Sequence, residues 1–130
     1  MRTIGACEMN SRAKGKRGEL EWAAYCRHQG YGSCRRTAQY CGNTGDASDV
    51  VGLPGIHQEV KRVEALNIEK AMAQAIHDSR GLTVPMVAHR KNGQDWLVTM
   101  RADDWFAFYH WWAIHQHGDA FTEKHEGAAE

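Results

Sequence analysis

One segment, residues 49–61, constrains the fold of this chain more than any other. Two runs rich in apolar β-formers flank a Pro-Gly dipeptide, which predicts two short strands joined by a tight turn. The turn brings Asp49 opposite Glu59, or within one residue of it. Because side chains alternate along a strand, Glu59 and Lys61 share one face. The hairpin therefore predicts two carboxylates and an ammonium group on one small patch.

This combination of groups is typical of phosphodiester cleavage. Carboxylate oxygens are the ligands that a hard divalent cation such as Mg²⁺ prefers. A nearby ammonium group can approach a phosphate or a metal-activated water. Charged side chains also alternate on solvated strands, so the hairpin alone leaves open a salt-bridged surface without catalysis. Its apolar neighbours favour a place in a sheet core; these are Val50, Val51, Ile56 and Val60.

The charges are unevenly distributed although 16 basic and 16 acidic residues cancel over the whole chain. Residues 1–36 hold eight Lys and Arg against three acids, whereas residues 103–130 hold one Lys against six acids. A basic N-terminal third beside a metal site fits a polyanionic partner such as DNA. A basic stretch that is merely solvated is the alternative.

The apolar runs are too short for a signal peptide or a membrane span, so we expect a cytoplasmic protein. The four cysteines are then expected to be reduced thiols. A zinc site among Cys26, His28, Cys34 and Cys41 is disfavoured, because no pair has the close spacing of structural zinc ligands.

The remaining patterns predict an alternation of helices and strands. The predicted elements are helix 16–29, strand 31–40, the two hairpin strands, helix 67–79, strands 84–90 and 95–100, and helix 102–115. The apolar stripe of the first helix is predicted at Leu20, Ala23 and Ala24. A helix between strand pairs favours a parallel crossover with antiparallel hairpins on both sides.

The expected fold class is thus α/β, a single domain with a central mixed β-sheet flanked by helices. The domain is predicted over residues 14–117. Residues 1–13 are expected to be a flexible basic leader, and residues 118–130 an acidic disordered tail.

Over residues 11–110 the order of motifs resembles the PD-(D/E)xK nuclease superfamily, and with it a restriction-endonuclease-like fold. Within the superfamily the chain is similar to the archaeal-type Holliday-junction resolvase branch, and more closely to small resolvase-like nucleases of phages and prophages. Ser48 stands where the superfamily motif has Pro, and Cys41 stands near a loop serine of the resolvases. The matching motifs are Lys14-Gly15-Lys16-Arg17-Gly18-Glu19, Arg35-Arg36, Ser48-Asp49, Glu59-Val60-Lys61, Lys70–Ala75 and Trp96-Leu97-Val98.

The resemblance implies a role for each site residue. Glu19, Asp49, Glu59 and the Val60 carbonyl would hold Mg²⁺, with Mn²⁺ as a substitute. Lys61 would assist the attacking water and stabilise the developing charge, and Gln74 would orient groups at the site. The basic side chains expected to contact DNA are Lys14, Lys16, Arg17, Arg35, Arg36 and Arg62.

The expected function is a metal-dependent DNA endonuclease acting on branched DNA, a Holliday-junction resolvase in a bacterial or phage-infected cell. Symmetric cutting of a junction requires two sites, so we expect a homodimer. The aromatic C-terminal helix, with Trp111 and Trp112, offers a surface for it. The alternatives are another phage nicking or replication-repair nuclease of the same fold, and a non-catalytic DNA-binding module.

Overall fold

The computed structural model of the protein describes residues 6–37 and 48–117, with side chains described between residues 13 and 116. The predicted acidic tail and Cys41 lie outside these ranges. The order of elements is the predicted one, a helix, three strands, a helix, two strands and a helix. The elements are α1 (Ala6–His28), β1 (Arg35–Arg36), β2 (Val50–Val51), β3 (Ile56–Lys61), α2 (Ile68–Ser79), β4 (Val84–His89), β5 (Leu97–Met100) and α3 (Ala102–His117).

The strands of the described residues form one mixed sheet in the order β1-β2-β3-β4-β5. The pairs β1–β2 and β2–β3 are antiparallel, whereas β3 and β4 are parallel, with Glu59 beside Val87. The connection between β3 and β4 contains α2, because parallel neighbours need a crossover. The predicted α/β class with a central mixed sheet is therefore confirmed.

Helix α1 begins at Ala6, ten residues before the predicted start at Lys16, and so includes part of the predicted leader. It ends at His28, and Gly30, with a φ of 105°, allows the Tyr31 N–H to donate back to the Cys26 carbonyl at 3.2 Å. This left-handed residue after the last turn is a common helix terminator.

The buried face of α1 differs from the predicted stripe. Leu20 is 48% exposed, whereas Trp22, Ala23 and Cys26 are buried. The Trp22 indole N–H donates to the Gln58 side-chain oxygen at 2.8 Å, which gives the indole N–H a partner inside the core. This bond ties α1 to the face of β3 that Gln58 occupies.

Helix α2 forms where its sequence predicts it. The Asn67 side chain accepts a hydrogen bond from the Lys70 N–H at 3.1 Å, which caps the first turn. Ala71 and Ala75 are buried and pack with Val87 of β4 in one core cluster. Helix α2 therefore packs on β4, and Val87 of β4 is the neighbour of Glu59 in the parallel pair.

The turn after β2 depends on a glycine. Gly52 has a φ of 119°, and a Cβ at this position would lie 2.5 Å from the Cys34 Cα. Such a contact is far inside van der Waals distance, so only glycine allows this approach to the segment leading into β1.

The described residues from Met100 onwards, which include α3, group apart from residues 6–99. Asp103 and Asp104 occupy its first turn, where the helix dipole favours acids. Along the helix, Trp105 stacks on Tyr109 with ring centroids 5.3 Å apart. None of the helices in the described ranges has both the length and the apolar character required to cross a membrane.

Candidate active site

The predicted catalytic residues line one cleft of about 410 Å³. Strand β3 contributes the central part of its wall, the residue before β2 contributes Asp49, and α1 and α2 contribute the flanking side chains. The predicted site residues in this cleft are Lys14, Glu19, Asp49, Glu59, Val60, Lys61, Arg62 and Gln74.

Asp49 and Glu59 form the acidic centre of the cleft. Val50 pairs with Gln58 across the hairpin, which places Asp49 beside Glu59 as predicted. The Val60 N–H donates to Asp49 Oδ2 at 3.0 Å and so fixes this carboxylate against β3. Glu59 is only 2% exposed, so its carboxylate is held in the wall and not on open surface.

The environment of Asp49 disfavours the ionised form of its carboxyl group. Burial, and then the charge of Glu59 and that of Glu19, raise the pKa of Asp49 to about 7, although the Val60 N–H opposes the rise. Carboxylates crowded in this way retain a proton until a cation balances them. The acidic donors of the cleft are all oxygen atoms, which fits a hard divalent cation.

Glu19 reaches the cleft from α1 and is already paired. Its Oε2 accepts a hydrogen bond from Arg36 Nε, and both side chains are partly buried. Arg36, predicted as a DNA contact, therefore lies at the edge of the acidic centre. Arg35 is exposed on β1, the edge strand of the sheet.

The other basic residues differ in their surroundings. Lys14 lines the cleft, whereas Lys16 and Arg17 are exposed on the same helix and do not line it. Arg62 is held by two partners, since Nε donates to Glu21 Oε2 at 2.7 Å and an Nη donates to Asn92 Oδ1.

Lys61 and Gln74 complete the cleft from two elements. Lys61 follows Glu59 by two residues on β3 and therefore emerges on the same face of the sheet. Gln74 is exposed on α2 and also lines the cleft. An ammonium and an amide thus line the same cleft as the carboxylates.

Two residues to which the sequence assigns no catalytic role support Glu59: His57 contacts Glu59, and Ser48 contacts His57. His57 is 3% exposed, and its Nε2 lies 2.9 Å from Glu59 Oε1. Its Nδ1 lies 3.0 Å from Ser48 Oγ. The signal was present in the sequence, because a histidine two residues before a glutamate on one strand shares its face.

The raised pKa of Asp49 predicts how stability varies with pH in the metal-free protein. Between about pH 4 and pH 7 the folded state holds a proton that the unfolded chain releases, so stability falls as pH rises through this window. Asp49→Asn keeps an acceptor for the Val60 N–H and removes the charge. We expect it to raise Tm in EDTA by at least about 4 °C at pH 8, and by less at pH 5.

Calorimetry with the exposed control Glu69→Gln checks this prediction. A gain in Tm for Asp49→Asn that is equal at both pH values would show that Asp49 is already ionised at pH 5.

A comparison with solved structures finds similarity to Archaeoglobus fulgidus Hjc, a Holliday junction resolvase from an archaeal hyperthermophile. The match has 19% sequence identity and a TM-score of 0.46, and covers 62% of this chain and 74% of the other. No family model matches the sequence, and no curated protein matches it. The functional interpretation therefore rests on the side chains of the cleft.

Proposed function

We propose that this protein is a metal-dependent endonuclease that hydrolyses phosphodiester bonds in branched DNA. The observation that carries the proposal is the meeting of Asp49, Glu59 and Lys61 in one cleft. Burial, and then the charges of Glu59 and Glu19, raise the pKa of Asp49 to about 7, and a bound divalent cation would stabilise the ionised form of these carboxylates.

Asp49 and Glu59 would hold Mg²⁺, with Glu19 and the Val60 carbonyl as further ligands and Mn²⁺ as a substitute. A bound ion of this kind supplies Lewis acidity and a water of lowered pKa. Glu19 would join the site with the oxygen that Arg36 leaves available, or after Arg36 turns towards a phosphate.

Lys61 and Gln74 would act on the substrate and not on the cation. The Lys61 ammonium, two residues from Glu59, would stabilise the charge that develops on the phosphate oxygens. The Gln74 amide lines the cleft from α2 and would orient the scissile group by hydrogen bonding. Both side chains thus add to the positioning of the phosphate.

The basic side chains of α1 would bind the DNA backbone. Lys14 lies at the cleft, and Lys16 and Arg17 are exposed on the same helix, so a phosphate chain could pass along it. Arg35 and Arg36 would extend this surface across β1. Arg62 would contribute less, because Glu21 and Asn92 occupy its guanidinium.

The proposed substrate is a four-way junction, and the proposed assembly is a homodimer in the cytoplasm of a bacterial or phage-infected cell. The resemblance of residues 11–110 to archaeal-type resolvases supports the substrate. Paired incisions require two sites related by a two-fold axis. Trp111 and Trp112 of α3 are the proposed contacts, because this helix carries more aromatic rings than one buried stripe needs.

Cleavage of four DNA substrates tests the proposal. Four-way junction, flap, duplex and single-stranded DNA are incubated with the protein and Mg²⁺ or Mn²⁺, with Asp49→Asn as the inactive control. We expect the junction to be cut fastest, by paired incisions, and the protein to sediment as a dimer. Faster cleavage of flaps or duplex would favour another nicking or repair nuclease. DNA binding without cleavage would favour a non-catalytic module, and a monomer on the junction would exclude the dimer.

A further inference from the structure

A second group of ligand-type side chains meets at Glu59. Potential ligand atoms of His57, Glu59 and Asp78 all lie within 4.8 Å of one another in the described part of the chain. His57 and Glu59 are 3% and 2% exposed, and the Asp78 side chain is 15% exposed. The group thus combines an imidazole with two carboxylates, and all three side chains are largely shielded from solvent.

The separations are close to those of a metal shell. In an octahedral site with bonds of about 2.1 Å, neighbouring ligand atoms lie about 3.0 Å apart and opposite ones about 4.2 Å. His57 Nε2 and Glu59 Oε1 are 2.9 Å apart, the length of such an edge. The ligand atom of Asp78 lies within 4.8 Å of the other two, so a shift of less than about 1 Å would bring it into the same shell.

The imidazole of His57 is oriented by a contact outside the group. Ser48 Oγ lies 3.0 Å from Nδ1 and Glu59 Oε1 lies 2.9 Å from Nε2, so an ion bound to Nε2 and Glu59 would replace the hydrogen bond between them and leave Nδ1–H to donate to the hydroxyl. A histidine that binds a metal through one nitrogen commonly donates the other N–H to an oxygen in this way. Ser48 would therefore orient the ring when Nε2 binds the ion.

Asp78 occupies a position that favours a nearby cation. It lies in the last turn of α2, where the helix dipole disfavours a carboxylate. His77 contacts Asp78 Oδ1 through Nδ1 at 3.1 Å, but this histidine is exposed to solvent. A cation on the buried side would balance both the dipole and the second carboxylate at Glu59.

We infer that His57, Glu59 and Asp78 bind a divalent first-row transition-metal ion such as Mn²⁺ or Zn²⁺. Mixed imidazole and carboxylate donors favour these ions over Mg²⁺, for which an all-oxygen shell is preferred. Glu59 belongs to both groups, so its carboxylate is shared between this site and the Asp49 cleft. The inference goes beyond the nuclease proposal, because metal binding can be measured without DNA.

Mn²⁺ binding in excess Mg²⁺ tests the site, since Mg²⁺ then fills the all-oxygen position. Electron paramagnetic resonance counts the bound Mn²⁺, and its spin-echo spectrum reports any coupled imidazole nitrogen. We expect one Mg²⁺-resistant Mn²⁺ with nitrogen coupling in the wild type and in His77→Ala. Asp78→Asn should weaken binding at least about tenfold, and Ser48→Ala about 10-fold to 100-fold.

Two matched variants make the result specific. Glu69→Gln removes an exposed acid from the same helix and should bind Mn²⁺ like the wild type. Asp49→Asn should retain the ion although it loses DNA cleavage. The inference is overturned if the wild type holds no Mg²⁺-resistant Mn²⁺, if nitrogen coupling is absent, or if Asp78→Asn binds as Glu69→Gln does. Mn²⁺ binding without any DNA cleavage would contradict the nuclease proposal alone.

Discussion

Asp49→Asn and Glu59→Gln are expected to cut junction DNA at least about 1,000-fold more slowly than the wild type while still binding it. Each change removes a charged metal ligand and keeps the shape of the side chain. An amide at residue 49 can still accept from the Val60 N–H, and one at residue 59 can still bond to His57. Single-turnover cleavage and fluorescence anisotropy separate the rate from the affinity.

Binding by these variants should be as tight as in the wild type or tighter, because one negative charge fewer faces the phosphates. Glu69→Gln is the matched control, since it removes an acid from the exposed side of α2 and should cleave normally. Cleavage by either cleft variant at a rate near that of the wild type would exclude the hairpin from the mechanism.

Lys61→Met should lower the single-turnover rate by about 100-fold to 1,000-fold, the usual effect of removing one group that stabilises charge in the transition state. The change keeps the length of the side chain and removes the ammonium. Metal affinity, measured by calorimetry, should not fall, because Lys61 lines the cleft without being a ligand.

Lys70→Met is the control for this change, because Lys70 is an exposed lysine on α2. A collapse of metal affinity in Lys61→Met would contradict the proposed role and would make the lysine a structural counter-ion of the carboxylates.

The elements around the hairpin could be predicted because their signals are local. The pairing of Val50 with Gln58 follows from alternation and a tight turn, and the Asn67 cap follows from a side chain three residues before its donor. The parallel crossover follows from a helix placed between two strands. In each case the residues that decide the structure lie close together in the chain.

The parts that escaped prediction depend on contacts between distant segments. Trp22, and not Leu20, lies on the buried face of α1, because its indole N–H donates to the Gln58 side chain, 36 residues away in the sequence. Arg36 meets Glu19 for the same reason, since only the fold places β1 beside α1. Periodicity identifies apolar faces, but it cannot show which polar groups satisfy one another.

The sequence predicts which residues form the site, but it does not predict how deeply they are buried. The carboxylates and Lys61 were identified from the hairpin, whereas His57 was visible in the same strand and received no role. His57 contacts Ser48 because the Asp49 N–H donates to the Gln58 carbonyl and so holds residues 48 and 49 against β3. A sequence pattern gives the face of a strand, and the fold decides whether that face is open or covered.

The position of Asp49 depends on the absence of a Cβ atom at Gly52. A methyl group at residue 52 would overlap the backbone at Cys34, and we expect β2 to move away from β1 to relieve the conflict. Asp49 lies one residue before β2 and would move with it, away from the Val60 N–H that holds its carboxylate. A substitution at Gly52 would therefore be recorded as a loss of activity in a genetic screen, although this residue does not line the cleft.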